Sequence, residues 1–436
     1  MVLQELTFIR DRVGPIRLHV LPTDRFKTFA VSMFMGRKLE EDTVTPTALA
    51  PFVLRRGNAA YPETKRFREA LDHLYGAGFG FDIYKRGDAQ IVQFRMDVIN
   101  DKFVQDDRSL LAETLSFLGE TITNPHTEQG GFSSKYVEEE KETLRKRLDA
   151  VVNDKIRYAA ERCIEEMCEG EPYRLHPLGN RDQLKGLDAE NLYTAYQAWI
   201  REAALDLYVV GDVSMDAVKE LVAKHFRLSG GEPAAYPEVS VRAGRGTVKT
   251  VTDRLDVKQG KLNLGLRLPI TYAHADYPAA LMYNGILGGY PHSKMFVNVR
   301  EKASLAYYAS SRFDGHKGIL TIQSGIEFEK YEQALAIMKE QLEAMKRGDI
   351  SDVEYAQTQA MIANHVREIQ DSAHEMIGFD FNAVLSGKTR TPKQLLEAVK
   401  SVSRDQIRAV AEQVELDTVY FLRDRKEGDA HADEAL

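Results

Sequence analysis

Histidine spacing gives the first test for metal chemistry in this chain, because zinc hydrolases present two histidines from one face of a helix. The sequence has 11 histidines, and no two of them are three or four residues apart. His374-Glu375 begins an HExxH-like string whose fifth residue is Gly378, and His365 begins an HxxEH-like string whose fifth residue is Ile369. Each string lacks its second histidine, so the histidines predict no zinc site.

Motifs for nucleophilic catalysis and nucleotide binding are also missing from the sequence. It contains no GxSxG elbow, no GxxxxGK[ST] loop and no GxGxxG. The glycine-rich string at 76–80 follows a helix-like segment, which favours a helix C-terminus over a phosphate cradle. Cys163 and Cys168 are five residues apart, a spacing that turns them to different faces of a helix. We therefore interpret both cysteines as packing residues without a redox or metal role.

Composition and charge exclude further classes of function. The 436 residues are 43% hydrophobic and 28% charged, with a net charge of -8. This ordinary globular balance argues against nucleic acid or an anionic membrane surface as a partner. No apolar run has the length of a membrane span, and the first residues lack a signal-peptide pattern. We therefore expect a cytoplasmic protein, and its length predicts more than one domain.

Two halves of the chain show the same predicted elements in the same order. Each half opens with a strand of alternating side chains, at 29–35 and at 262–266. The later elements are a second strand, a long helical stretch and a final helix followed by a short strand. Their positions are Gln90 and Gly318, 134–167 and 351–385, 186–199 and 401–414, and Leu205 and Leu416. A tandem duplication explains this order.

The stretch 228–246 is rich in glycine and proline and shows no helical period, so we place a linker there. It separates predicted domains at 1–230 and 245–436. Strands with one polar face, interleaved with long helices, predict an α+β fold class. We expect two tandem homologous domains, each a mostly antiparallel sheet with helices packed on one face.

Two segments resemble the M16 family of zinc metallopeptidases, the group of pitrilysin, insulysin and mitochondrial processing peptidase. They are HPLGNRDQLKGLDAENLYTAYQAWIREAALDLYVVGDV at 176–213 and LGGYPHSKMFVNVREKASLAYYASS at 287–311. The chain is similar to the short two-domain bacterial members, which implies a LuxS/MPP-like metallohydrolase fold. It also resembles the HxxEH-lacking member of the paired M16-like proteins of Bacillus, a pair associated with 5-aminopentanol modification of elongation factor P.

The family's zinc site falls on residues that cannot form one. The resemblance aligns TALAPFVLRRG with the HxxEH helix, which puts Pro51 and Arg55 on the histidine ligands and Leu54 on the glutamate base. It puts Arg147 on the distal glutamate ligand and Glu140 on the accompanying glutamate. Zinc needs N, O or S donors, so the resemblance implies no metal, no cofactor and no catalytic residue in this chain. We expect Pro51 in the first turn of its helix and the arginines paired with acids such as Glu140.

The second half keeps more of the family pattern. The resemblance implies that Arg300 and Tyr307, in VREKASLAYY, are substrate-binding residues. A guanidinium and a phenol can hold a peptide carbonyl and stabilise the oxyanion that develops on it. If a helix ends near Lys302 and a strand begins near Leu305, then Tyr307 and Tyr308 point to opposite faces and only one of them reaches a site.

Loss of the zinc site with retention of the arginine and tyrosine predicts a non-catalytic subunit. In this interpretation the chain pairs with a zinc-bearing M16 homologue, contributes Arg300 and Tyr307 to a peptide substrate, and leaves zinc to the partner. The alternative is a homodimeric or partner-bound scaffold that holds a peptide or protein without hydrolysis, a pseudopeptidase. A stand-alone zinc hydrolase is disfavoured by the missing ligands.

Overall fold

The computed structural model describes residues 7–105, 107–228 and 230–425. The strands in these residues are β1 (Ile9–Val13), β2 (Ile16–Pro22), β3 (Thr28–Lys38), β4 (Gly78–Arg86), β5 (Ala89–Ile99), β6 (Thr127–Glu128), β7 (Gly131–Phe132), β8 (Ala204–Gly211), β9 (Lys249–Arg254), β10 (Gly260–Arg267), β11 (Ala306–Asp314), β12 (Ile319–Ile326) and β13 (Glu415–Arg423).

The α-helices are α1 (Glu41–Leu54), α2 (Thr64–His73), α3 (Leu110–Thr123), α4 (Ser134–Asn153), α5 (Lys155–Met167), α6 (Arg181–Leu184), α7 (Ala189–Glu202), α8 (Met215–His225), α9 (Tyr277–Asn284), α10 (Tyr331–Arg347), α11 (Asp352–Glu368), α12 (Ala373–Ser386), α13 (Pro392–Ser401) and α14 (Arg404–Glu412). Two π-helical segments follow α9, at Gly285–Gly289 and Phe296–Lys302.

Contacts divide the chain into two units, each built on one large sheet. Unit 1 comprises residues up to 149, 175–238 and 369–381, and unit 2 comprises 150–174, 239–368 and the residues from 382 onward. Each unit therefore includes a segment from the other half of the sequence. The ranges 1–230 and 245–436 correspond to the two copies of the sequence repeat, and as domain boundaries they stay a prediction.

The two sheets show the predicted duplication strand by strand. The unit 1 order is β1-β2-β8-β3-β5-β4, and the unit 2 order, read from its other edge, is β9-β13-β10-β12-β11. In each sheet one pair is parallel, β2 with β8 and β9 with β13, and the remaining pairs are antiparallel. The predicted α+β class with mostly antiparallel sheets is confirmed, with β1 as an added edge strand in unit 1.

The two long helical stretches are each divided in the structure. Asp154 ends the first and starts α5, because its carboxylate accepts hydrogen bonds from the backbone N–H groups of Ile156 and Arg157. The second is interrupted by a 3-10 turn at Ile369–Asp371 between α11 and α12. An N-cap side chain satisfies backbone donors at a helix start, so a new helix can begin without a long loop.

Both faces of the unit 1 sheet are covered, although the sequence predicted helices on one face. Met33 and Met35 of β3 join the main core beneath α1, α3 and α7. Phe34 points to the opposite face and stacks on Phe381 with ring centroids 3.8 Å apart. The segment 369–381 thus shields the second face, and β3 is buried along most of its length.

A buried ion network also lies on this second face. Asp206 of β8 is fully buried and accepts hydrogen bonds from Arg17 Nε (2.7 Å), Arg17 Nη2 (2.7 Å), His19 Nε2 (2.8 Å) and the Tyr236 hydroxyl (2.7 Å). Arg10 donates to His19 Nδ1, so that nitrogen is the acceptor of the ring. Burial acts to raise the pKa of Asp206, but the bonds from Arg17 and His19 outweigh it and hold the pKa at about 2.

Unit 2 carries a buried carboxylate at the same strand position. Asp417 is the third residue of β13, as Asp206 is the third residue of β8. Arg267 approaches Asp417 through Nε (3.4 Å) and donates to Glu171 through Nη2 (2.7 Å). The duplication therefore includes a buried aspartate as well as the strand order, whereas the arginine beside it comes from β2 in unit 1 and from β10 in unit 2.

Replacing Asp206→Asn is expected to reduce the free energy of unfolding at pH 7 by about 3 kcal/mol, because Arg17 is left as a half-buried charge without its carboxylate. Urea unfolding followed by circular dichroism measures the change. Since the pKa of Asp206 is lowered in the folded protein, its contribution is present above pH 4 and is lost as pH falls toward about 2. The difference between wild type and variant should therefore shrink over that range.

Asp182→Asn is the matched control, because this carboxylate is exposed and pairs with Lys185, three residues along the chain. Its substitution should change stability by less than about 0.5 kcal/mol. An Asp206→Asn variant as stable as Asp182→Asn would contradict the role given to the network.

Candidate functional site

The positions aligned with the zinc site lie on α1 and α4 of unit 1. Pro51 occupies the last turn of α1, where its carbonyl accepts a hydrogen bond from the Arg55 N–H at 3.2 Å. The expectation of Pro51 in the first turn is wrong, because the helix begins ten residues earlier, at Glu41. Proline has no N–H, so α1 lacks one helical bond to the Thr47 carbonyl.

Leu54 and Phe52 belong to the hydrophobic core. Both are fully buried, and the Phe52 ring meets the Phe81 ring of β4 edge to face, with centroids 4.9 Å apart. The residue that the resemblance aligns with the family's general base is therefore an aliphatic side chain inside the core.

The other two residues that the resemblance aligns with zinc ligands are arginines, Arg55 and Arg147. Arg55 Nη2 lies 3.4 Å from Glu140 Oε2, and Arg56 Nη1 donates to Glu140 Oε1 at 3.1 Å. Arg147 instead places its guanidinium carbon 4.7 Å from the centroid of the Phe52 ring. The expected pairing with Glu140 is confirmed for Arg55, whereas no ion pair joins Arg147 to another residue that the structure describes.

These residues do not fit zinc. Proline and leucine offer no donor, and the two guanidiniums would bring positive charge toward a dication. Across 7–105, 107–228 and 230–425, no group of three or more His, Cys, Asp or Glu side chains could hold a metal ion. No step of a reaction is assigned to zinc in this chain.

In unit 2, Arg300 lies on the π-helical segment Phe296–Lys302. It is exposed, and its guanidinium carbon lies 4.4 Å from the centroid of the Phe296 ring. Among the described residues it has no carboxylate partner, so its donors face solvent. The helix ends at Lys302, as expected, and β11 begins at Ala306.

Tyr307 and Tyr308 have opposite environments at the start of β11. The register of β11 with β12 shifts between Ala306 and Tyr308, which makes Tyr307 the extra residue of a β-bulge. Tyr307 is 65% exposed. Tyr308 is half-buried near Lys261, and burial raises its pKa to about 12. Of the two phenols, Tyr307 is the one available to a ligand.

Sequence reasoning missed the residues that support the segment around Arg300 and Tyr307. Gly288 lies so close to β11 that a Cβ atom there would sit 2.5 Å from the Ser311 backbone nitrogen. Lys294 is buried and bonds Glu354 of α11 at 3.0 Å, and His292 Nε2 lies 2.8 Å from the Thr358 hydroxyl. The glycine pair in LGGYPHSK was the available signal, since close backbone contacts require glycine.

A bacterial protein resembles this chain along nearly its whole length. Over 415 residues the chain is 41% identical to the "Probable inactive metalloprotease YmfF" of Bacillus subtilis, covering 95% of this chain and 97% of that protein. Residues 186–362 match the family described as "Peptidase M16 inactive domain". The chain belongs to the M16 peptidase family.

Solved structures show the same fold. A conserved protein from Enterococcus faecalis V583 superposes with a TM-score of 0.91 at 30% identity, covering 97% of this M16 chain and 100% of that chain. A peptidase M16 inactive domain from Pseudomonas fluorescens gives a TM-score of 0.79 at 14% identity, with 97% and 99% coverage, and this likeness concerns the fold alone. The protein is an M16 homologue of the inactive type.

One further finding concerns the membrane. None of the helices described for this M16 chain is both long enough and apolar enough to span a bilayer.

If the alignment of α1 and α4 with the M16 zinc site is correct, restoring the ligands should restore metal binding. The triple variant Pro51→His, Arg55→His, Arg147→Glu keeps the core residue Leu54 and is expected to retain about one zinc ion per chain after dialysis. Elemental analysis of the purified protein measures the ratio.

The matched control carries Arg145→Glu in place of Arg147→Glu, because Arg145 lies on the same helix and bonds Glu142 and Asp149. It should bind zinc at least tenfold more weakly than the triple variant. A folded triple variant without zinc would show that these positions are assigned wrongly.

Proposed function

We propose that this M16 chain is the non-catalytic subunit of a heterodimeric zinc peptidase. The partner is a zinc-bearing M16 homologue, and this chain contributes Arg300 and Tyr307 to the bound peptide. In this role the guanidinium and the phenol hold a carbonyl oxygen of the substrate and stabilise its developing negative charge.

The proposal depends on a difference in exposure between two sets of residues, those aligned with the zinc site and the pair Arg300 and Tyr307. The zinc positions Pro51 and Leu54 are buried packing residues. Arg300 and Tyr307 are both exposed, and neither is held by a hydrogen bond or an ion pair within the part of the chain that the structure describes. An exposed arginine and tyrosine without internal partners are available for a ligand.

A peptide substrate is further supported by the sheet of unit 1. β4 is an edge strand that pairs only with β5 along its length, in the described residues. An extended peptide can add to such an edge through main-chain hydrogen bonds. Phe81 of β4 also contacts Phe52 of α1, so the peptide of this proposal would lie beside the residues that the resemblance aligns with the zinc ligands.

The proposed location is the cytoplasm. Cys163 and Cys168 are both buried, and no disulfide joins them. Thiols kept in the reduced state fit a reducing compartment.

Co-expression with the zinc-bearing M16 homologue of the same organism tests the proposal. The expected result is a stable complex that hydrolyses a quenched fluorescent peptide library, whereas each chain alone has little activity. The double variant Arg300→Ala, Tyr307→Phe should lower turnover by the complex about a hundredfold, as loss of an oxyanion donor does in other hydrolases.

Two neighbours serve as controls. Lys302→Ala removes a cation from the same π-helical segment, and Tyr308→Phe removes the hydroxyl of the half-buried phenol. Both should leave turnover within about twofold of wild type. A complex that hydrolyses peptide equally well with the double variant would overturn the shared site. A chain that binds peptide and forms no active complex would instead support the pseudopeptidase scaffold.

A further inference from the structure

Guanidinium side chains collect where the family would hold zinc. We call Arg55, Arg56 and Arg147 the arginine cluster. The guanidinium carbons of Arg147 and Arg55 lie 4.7 Å and 5.5 Å from the centroid of the same ring, Phe52. Arg55 also lies 5.6 Å from the centroid of the Phe81 ring. Two like charges are thus held against one aromatic side chain.

The carboxylates around the arginine cluster do not balance its charge. Arg56 bonds both Glu139 and Glu140, and Arg55 reaches Glu140 at 3.4 Å, beyond the length of a strong ionic hydrogen bond. Two guanidiniums therefore share two carboxylates, and the third, Arg147, adds an uncompensated charge. Arg147 is exposed and has no hydrogen bond or ion pair to any residue that the structure describes.

We infer that the arginine cluster binds a carboxylate, with Arg147 as its principal donor and Arg55 as the second. A guanidinium presents a planar pair of N–H groups that matches the two oxygens of a carboxylate. Contact with an aromatic ring leaves the N–H groups of Arg147 without a hydrogen-bond acceptor among the described residues. A bound carboxylate would remove the excess positive charge that the protein leaves uncompensated.

That this carboxylate belongs to a peptide rests on the proposed function. Its source is either the C-terminal carboxylate or an aspartate or glutamate side chain. The half-buried ring of Phe81 supplies apolar surface next to the guanidiniums, which suits a peptide better than a fully hydrated inorganic anion. A site that binds metal in active members would here bind a negatively charged part of the substrate.

Fluorescence anisotropy on the isolated full-length chain tests this inference without any zinc-bearing partner. The probes are a labelled decapeptide of Ala, Leu and Phe with a free C-terminal carboxylate, the same peptide as its C-terminal amide, and the amide with one internal glutamate. We expect the free acid to bind about tenfold more tightly than the plain amide. Tight binding of the glutamate peptide would identify a side-chain carboxylate as an accepted ligand, and weak binding would restrict the site to the C-terminus.

Arg147→Gln should abolish the preference for the acid, because it removes the charge from an exposed position that the fold does not need. Arg145→Gln is the control on the same helix, since Arg145 is already neutralised by Glu142 and Asp149. It should keep the tenfold preference. Equal binding of acid and amide by the wild type, absence of binding up to about 1 mM peptide, or equal losses in both variants would overturn the inference.

The two proposals fail separately. An inactive complex with the zinc-bearing homologue, together with an intact preference for the acid, would reject the shared active site alone. An active complex without that preference would reject the carboxylate site alone.

Discussion

A carboxylate inside an apolar core must be surrounded by donors, and this constraint governs how each unit is assembled. Removing a charge from water costs several kcal/mol, which only close hydrogen-bonded partners can offset. Asp206 meets the requirement with Arg17 and His19 from the neighbouring strand and Tyr236 from the segment after α8. The buried aspartate therefore fixes which strand lies beside β8 and ties an irregular segment to the sheet.

Segments from the opposite half of the sequence complete each unit by covering its sheet. The second face of the unit 1 sheet carries Asp206, Tyr208 and Phe34, which would be exposed without a cover. Asp380 accepts a hydrogen bond from the Tyr208 hydroxyl at 2.8 Å, and Phe381 stacks on Phe34. In unit 2, Cys163 and Met167 of α5 pack at Gly265 of β10, where a larger side chain would clash with the Met167 sulfur. Polar and apolar complementarity together assign these helices to their sheets.

The order of elements along the chain and the duplication could be predicted from sequence, because alternation is a local signal and a repeated order can be read directly along the chain. The assignment of 150–174 and 369–381 could not, since it depends on contacts between residues far apart in the chain, such as Phe34 with Phe381. The division of the predicted long helices was also hidden, because the cap at Asp154 is a single side chain within a continuous helical pattern. At the site, the residue types at 51, 54, 55 and 147 were readable, but the position of Pro51 in its helix depended on where α1 begins.

A chain that lacks the metal must still compensate the charge of the acidic residues that surround a metal site. The resemblance aligns Glu140 with an acidic residue that accompanies the zinc ligands, and without a metal such a residue is a buried charge that needs another partner. Here Arg55 and Arg56 supply the positive charge that Glu140 needs, and Phe52 and Leu54 fill the space with packed carbon. Arg147 exceeds what this repair requires, because the carboxylate is already neutralised and Arg147 bonds no other described residue. Substitution of Arg147 therefore distinguishes a ligand-binding site from a position that only completes the core.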